Sequence, residues 1–475
     1  MRWASAEHVG VLRRTVGVAK RKRRGSMGTM AFALVLLLEV LGTFQSGLTQ
    51  PGFERYLVFA VGWILASGPT RCVTEALVAT GVSGKRHWEA YHRLFSRGTW
   101  HPDKLGWWLF QRLQKRSTQR VLRLVIDDTL CPKKGLHVFG IGSHLDAVRS
   151  TKKRKSFCFG HCWLVLAILV EVPFSPRVWA IPILFRLYRN KKDAPEDYAK
   201  KTELAREMLQ VVLGWIEGTK SSWQVAVALD QGYANSTVMK GMPAHVTFFG
   251  AMRTDAALTA LPTNTQDKGP AQKRGQRLPT PAELAAGKKT AWRTVQAHLY
   301  GKTVTVQYKI ITCQWFRVLG AAPLSVVVVR CSTGDLPYRA FFCTDPKRDV
   351  RTILEVYAAR WGIEVFFREG KQLFGLADSP AWTENAVRRV MPMVGLLYSM
   401  LVVWFAEVHD SPVVQLPVRP WYGHKKGLCF ADILRAARGT LQGFDVLAYA
   451  EETGTFHRPA TATTKPLQLT FDWKG

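Results

Sequence analysis

The stretch from Tyr357 to Lys371, YAARWGIEVFFREGK, is the one whose reading decides the fold. At about 100° per residue on a helix, Tyr357, Arg360, Glu364 and Lys371 fall within an arc roughly 60° wide. Val356, Ile363, Phe366 and Phe374 occupy a separate arc. The spacing therefore predicts one helix with a core side and a working side, the latter presenting a phenol, a guanidinium, a carboxylate and an ammonium. Such a face suits a phosphate and a metal ion. An ordinary solvated face with an Arg360–Glu364 i,i+4 ion pair would produce the same pattern, so the stretch needs support from the rest of the chain.

That support begins with charge. The chain has 475 residues, 47% of them hydrophobic, enough for two or three domains with substantial cores. Its 66 Lys and Arg against 35 Asp and Glu leave a formal charge of +31. Solubility does not require that excess, and a polyanionic partner would explain it, nucleic acid first and an anionic membrane as the rival. Three apolar runs bear on the rival. Residues 31–38 follow a basic block but are cut short by Glu39 with no cleavage-site pattern, 57–66 are too short to span, and 393–406 fall below the usual ~20 residues. Buried core helices are the expectation for all three. The eight cysteines show no paired framework, which suggests a reducing compartment. Cys158, His161 and Cys162 lack a second ligand pair at zinc spacing.

In order along the chain, residues 1–29 read as a basic, disordered arm. Residues 30–118 read as a helical DNA-binding region. Within it, a helix at Thr74 to Thr80, a glycine turn and a second helix starting at Lys85 would form a helix-turn-helix carrying Lys85, Arg86 and Arg93. At Arg120 the periodicity becomes strand-like: RVLRLVIDDT ends in Asp127 and Asp128. Strands are expected near 136–141, 162–172 and 178–188, followed by a helix opening at Asp193 and running to about 217. A strand ending at Asp230, a short helix at 235–241 and a strand at 245–253 close the first part of a core, 119–253. Residues 254–348 read as a basic loop containing Lys268 and then a β-rich insertion. Residues 349–410 are the second part of the core, with a long apolar helix at 384–407, and 411–475 a helical tail with Lys425, Lys426 and a helix at 430–441.

The carboxylates carry the chemistry. Asp127/Asp128 and Asp230 end strands, Glu364 lies on a helix, and strand ends in an α/β sheet open onto a shared crevice. Three carboxylates in one crevice repel one another unless a cation sits between them, and oxygen-only ligands favour Mg²⁺ or Mn²⁺ over zinc. Two such ions can activate a water or a 3′-hydroxyl and stabilise the leaving oxygen of a phosphodiester. The order of elements, strand with Asp, further strands, helix, strand with Asp, insertion, helix with Glu, is that of an α/β, ribonuclease H-like core with a β-rich insertion, here preceded by a helical region.

With these residues in place, the sequence resembles the bacterial insertion-sequence transposases of the DDE type with a Y-R-E-K motif. The resemblance rests on Tyr357, Arg360, Glu364 and Lys371, on DDT at Asp127 to Thr129, on LDQGY at Leu229 to Tyr233 and on FGHCW at Phe159 to Trp163, and runs from about Lys85 to Arg438. It implies a metal-binding catalytic triad of Asp128, Asp230 and Glu364, with Asp127 as the alternative to Asp128, since strand alternation alone does not decide which one faces the crevice. It implies that Tyr357, Arg360 and Lys371 hold phosphates of the transposon end. Trp361 would stack on a displaced base, against the reading of a packed core tryptophan, and His161 would approach the active site, against that of a buried structural histidine. Lys133, Lys134 and Arg253 join Lys85, Arg86 and Arg93 as candidate DNA contacts. The implied activity is metal-dependent cutting at element ends and joining of the 3′-hydroxyl to target DNA, by a homodimer on double-stranded DNA, in the bacterial cytoplasm near the nucleoid and away from membrane. A catalytically inactive, transposase-derived DNA-binding regulator is the alternative.

Overall fold

The computed structural model describes residues 27–114, 120–135, 137–151, 153–219, 222–262, 273–330, 337–409, 420–422 and 427–456. The basic arm before residue 27, Lys268 and the Lys425–Lys426 pair lie outside these residues.

Strand β1 (Val121–Pro132) is central because its apolar run is covered on both faces: Leu124, Val125 and Ile126 are fully buried. The chain then forms β2 (Gly142–Leu145), β3 (Phe157–Val172) and β4 (Ser175–Tyr188), with β3 antiparallel to β1 and β4 antiparallel to β3. Strands β5 (Gln224–Leu229) and β6 (Val246–Met252) lie on the other side, parallel to β1 and to each other. The spatial order is thus β4-β3-β1-β5-β6. Ile126 pairs with Leu229 in the parallel register, so the next residues, Asp127 and Asp230, stand at the same level; β5 ends there, whereas β1 does not end at its two carboxylates but runs on to Pro132 against β3.

The expected β-rich insertion does not stand apart. Its strands are β7 (Leu258–Thr259), β8 (Arg277–Leu278), β9 (Arg293–Leu299), β10 (Lys302–Gln314), β11 (Pro323–Arg330) and β12 (Tyr338–Cys343). β12 pairs with the outer edge of β6, from Cys343 opposite Phe249 to Ala340 opposite Met252, and β11 and β10 follow, giving one twelve-stranded sheet. An open β6 edge would leave a row of unpaired donors and acceptors, and β12 satisfies them.

Helices α1 (Met27–Leu41), α2 (Gln50–Leu65), α3 (Val73–Ala79), α4 (Glu89–Ser96) and α5 (Pro102–Gln114) precede the sheet. α6 (Lys201–Gly218) joins β4 to β5, and α7 (Pro281–Ala286) lies in the insertion. After β12 come α8 (Val350–Ala359), α9 (Trp361–Leu373), α10 (Glu384–Val408), α11 (Phe430–Leu441) and α12 (Val446–Phe456). One apolar core runs from Ala33 through both β1 and α10 to Ala450, so helices on either side of the expected boundary at 118 share it with the sheet. α10 is long and apolar enough to cross a membrane, but 89% of its apolar window is buried within the protein. Gly395 lets it close on β4, since a Cβ there would come 2.3 Å from the Phe185 ring.

Five local expectations are corrected. Residues 137–141 form turns rather than a strand, with Gly140 at φ +72°, and the strand falls at β2. The helix expected from Asp193 begins at Lys201: the N–H groups of Asp193 and Ala194 turn back to the Asn190 carbonyl, and Glu203 caps the Lys200 N–H at 2.8 Å. β3 starts at Phe157, five residues early, because β2 supplies a partner there. In the expected helix-turn-helix, Lys85 and Arg86 lie in the turn, their N–H groups bonded to the Val82 carbonyl, and α4 begins only at Glu89. Finally, Tyr357 to Lys371 is not one helix. It breaks at Arg360, whose N–H bonds three residues back to Tyr357, so α8 packs over β5, β6 and β9 while α9 packs over β1 and β4.

Candidate active site

Side chains alternate along a strand, so Asp127 and Asp128 point to opposite faces of β1. Asp127 faces α9. Its Oδ2 accepts from Arg360 Nη1 at 2.7 Å, and Arg360 Nη2 donates to Glu364 Oε1 at 2.8 Å. Asp230 is close enough to act electrostatically on both Asp127 and Arg360. Asp127 and Glu364 therefore meet on one guanidinium, with Asp230 near enough to act on it through its charge. The α8–α9 break places Arg360 between them, and Gly362 keeps α9 tight on β4, where a Cβ would lie 3.0 Å from the Val178 carbonyl.

The electrostatics follow from burial. Desolvation pushes the Asp127 carboxyl up to about 7 against the opposing pull of Arg360. Burial also disfavours the charge on Arg360, but Asp127, Tyr357, Asp230 and Glu364 together outweigh it and hold the guanidinium charged. Tyr357 closes α8 with its ring 4.7 Å from Phe341 and 5.7 Å from the Arg360 guanidinium, and burial raises its phenol above the usual range. Lys371 donates to the Leu130 carbonyl at 2.7 Å, tying α9 to β1 three residues beyond Asp127.

Asp128 stands on the α6 face. Its Oδ2 accepts from Lys201 Nζ at 2.7 Å and its Oδ1 from the Tyr233 hydroxyl at 2.6 Å, with Cys162 Sγ at 3.4 Å. Burial would raise this carboxyl, yet Lys201 and the three hydrogen bonds hold it below the ordinary range. The Tyr233 N–H bonds to the Asp230 carbonyl at 3.0 Å, so Asp128 braces the turn that carries Asp230. Lys201, Tyr233 and Cys162 were not among the residues expected to serve the site. Tyr233 lies inside the quoted LDQGY motif, whereas nothing in the sequence distinguishes Lys201 from its neighbouring lysines.

The other expected residues separate into two groups. Trp361 is 48% exposed at the start of α9, its ring 6.3 Å from that of Tyr300, so the core reading of this tryptophan does not hold. Tyr300, which sequence reasoning passed over, sits at φ +54° in the β9–β10 turn and brings the insertion to the site. Lys85 and Lys134 are exposed. The rest are engaged within the protein: Lys133 Nζ donates to the Ala377 and Ser379 carbonyls at 2.7 and 2.6 Å, Arg253 pairs with Asp255, Arg93 with Glu89 and Arg86 with Glu451. His161 does not reach the carboxylates. It is buried beside the Phe139 carbonyl at 2.9 Å, and desolvation lowers its imidazole to about 4.

The chemistry of the donor set fits a hard divalent cation, because the converging groups are all carboxylate oxygens. Among the described residues no three His, Cys, Asp or Glu side chains already stand in a metal-holding arrangement, and Arg360 supplies the counter-charge between Asp127 and Glu364.

An α/β sheet with carboxylates on adjacent parallel strands at one level, and a third on the helix packed over them, fits a class of enzyme that the comparison of sequences names. Residues 43–317 match the DDE superfamily endonuclease family, more than half of the chain, and the protein belongs to that family. The matched span includes Asp127 and Asp230 and ends before Glu364. No curated protein matches the chain. Among solved structures it is similar to a piggyBac transposase synaptic complex with hairpin DNA, at 9% identity and a TM-score of 0.40, over 96% of this chain and 83% of that one.

Proposed function

We propose that this endonuclease-family protein is a DNA transposase of the cut-and-paste type, with Asp127, Asp230 and Glu364 as its metal-binding carboxylates. The observation that carries the reading is the meeting of Asp127 and Glu364 on Arg360, beside Asp230 at the end of the parallel strand next to β1. The strand order β4-β3-β1-β5-β6, with an antiparallel hairpin on one side of β1 and two parallel strands on the other, supports a ribonuclease H-like core.

In this reading the first ligand is Asp127, and Asp128 is a brace. Mg²⁺ or Mn²⁺ bound by Asp127, Asp230 and Glu364 would supply Lewis-acid activation of the attacking oxygen and stabilisation of the leaving one. The chain's own residues do the rest. Arg360 offsets the mutual repulsion of the carboxylates and, with Tyr357 and Lys371, offers donors to the phosphates flanking the scissile bond. The partial burial of Asp127 and Arg360 lowers the local dielectric and strengthens each of these interactions. The substrates are the ends of the element and a target duplex, and the acting unit is a homodimer in the bacterial cytoplasm.

The test is cleavage of labelled DNA carrying the element's own ends, in Mg²⁺ or Mn²⁺ against EDTA, for wild type, Asp127→Asn and Glu364→Gln. Metal-dependent cuts at the ends that vanish in both variants, with DNA binding retained, are expected. Binding without cleavage in every lane would favour a regulator instead.

A further inference from the structure

Beyond β1 the sheet continues as a two-stranded arm that the site does not use. Gly142–Leu145 of β2 pairs with Phe157–Gly160 of β3. One face of this arm is packed, with His144 buried against the Tyr188 ring at 5.8 Å. The other is bare: Leu145, Phe157 and Phe159 are 50%, 64% and 47% exposed, and Leu145 lies directly opposite Phe157.

In the loop that closes the arm, the described residues bond to one another. Asp146 N–H bonds to the Ser156 carbonyl, Ser150 N–H to the Asp146 carbonyl and Thr151 N–H to the Arg154 carbonyl, all between 2.8 and 3.0 Å. Asp146 Oδ1 is taken up by the Val148 and Arg149 N–H groups. What the loop presents to solvent is cationic: Arg149, Lys153, Arg154 and Lys155 are all exposed.

Placement gives the arm its meaning. Asp127 pairs with Val165, and Phe157, Phe159, His161, Trp163 and Val165 share one face of β3. That face is the one carrying Asp127. The segment Leu376–Met391 covers His161 and Trp163, and the cover ends before Phe159. Six residues of strand set Phe159 about 20 Å from the carboxylate level, a span of about six base pairs of a duplex.

We infer that this arm is a DNA-holding element, its cationic tip on the phosphates of the duplex flanking the cleaved bond and its Phe157–Phe159 face on the exposed base and sugar edges. The inference rests on the reading of the protein as a DNA-cutting enzyme. Three exposed cations, Lys153, Arg154 and Lys155, beside the Arg149–Asp146 pair complement a polyanion, whereas two copies of the same tip repel each other. An arm already held by strand pairing loses little conformational freedom on binding, and exposed aromatic rings pack on the sugar and base edges of a duplex groove.

The experiment uses the full chain and a fluorescein-labelled 40-bp duplex of arbitrary sequence, with Kd read by anisotropy across a salt series. Lys153→Gln/Arg154→Gln/Lys155→Gln is expected to reduce the slope of log Kd against log salt by about 3 and to weaken binding at least about 10-fold. Phe157→Ser/Phe159→Ser is expected to weaken binding about 3- to 10-fold with the slope unchanged. Both variants should keep the wild-type melting temperature. Wild-type slope and affinity in the triple variant would overturn the inference, as would loss of the dimer in sedimentation with DNA binding intact. If the wild-type chain itself fails to bind the duplex, the DNA-cutting reading falls first, so the two failures are distinguishable.

Discussion

Asp127 and Asp128 are consecutive residues of one strand with opposite fates. Asp127 turns toward α9, where burial raises its carboxyl to about 7 and its partner is an arginine shared with Glu364. Asp128 turns toward α6, where Lys201 and the Tyr233 hydroxyl hold it fully ionised below the ordinary range. A carboxylate whose ionisation is contested is suited to take up a cation. One already satisfied by a lysine, a phenol and a thiol is suited to hold two strand ends together. The two-residue alternation of a β-strand is all that separates these environments, and the brace on one face holds the strand that carries the proposed ligand on the other.

The comparison breaks most visibly in activity. Asp127→Asn should lower DNA cleavage by about 10³-fold, equivalent to about 4 kcal/mol of barrier, while urea denaturation shows an unchanged fold. A result in which Asp128→Asn loses as much, with its stability intact, would reverse the assignment. The Asp127 face also carries a buried imidazole, His161, whose hydrogen-bond partner is the neutral Phe139 carbonyl. Its folded pKa of about 4 lies below the ordinary value near 6.5, so the unfolded chain takes up the proton first. Stability is therefore complete above about pH 6.5 and falls as the pH drops toward 4, by about 3 kcal/mol in all, and His161→Gln should flatten the profile of denaturation midpoints over that window. On the opposite face, Asp128→Ala strands Lys201 and should cost about 2–3 kcal/mol in the same denaturation assay, the lower part of the range for a buried pair because both side chains keep some solvent contact. The smallest effect is that of Tyr233→Phe. It should cost about 1.5 kcal/mol and lower cleavage about 10-fold through the loosened Asp230 turn. Wild-type cleavage in that variant would mean that the brace serves stability alone.

Much of this was written in the chain. The strand before Asp127, the strand before Asp230 and the helix at 430–441 follow from apolar runs bounded by polar residues, because burial against a core leaves that pattern. Alternation showed that Asp127 and Asp128 part company but not which faces the crevice, since that depends on where α6 and α9 pack. The angular reading of Tyr357 to Lys371 put four residues on one helix where the chain forms two; Tyr357, Arg360 and Glu364 do meet across the break, while Lys371 reaches the Leu130 carbonyl instead. Arg360 sits at the break, and its fork bridges β1 and α9 through an ion pair spanning 233 positions, which no local periodicity reports. Lys133 illustrates the same limit: its charge suggested a phosphate, but its ammonium is spent on two carbonyls of a distant loop.

The pairing of β12 with β6 has a consequence for the birth of the protein. Met252 finds its partner in Ala340, 88 residues further on. At roughly 5–20 residues per second of synthesis, the finished β6 waits about 4–18 s for the strand that will seal it. During that interval a strand beside the one that ends at Asp230 is a bare edge on the ribosome, and the nascent chain depends on what shields it until the insertion has been made.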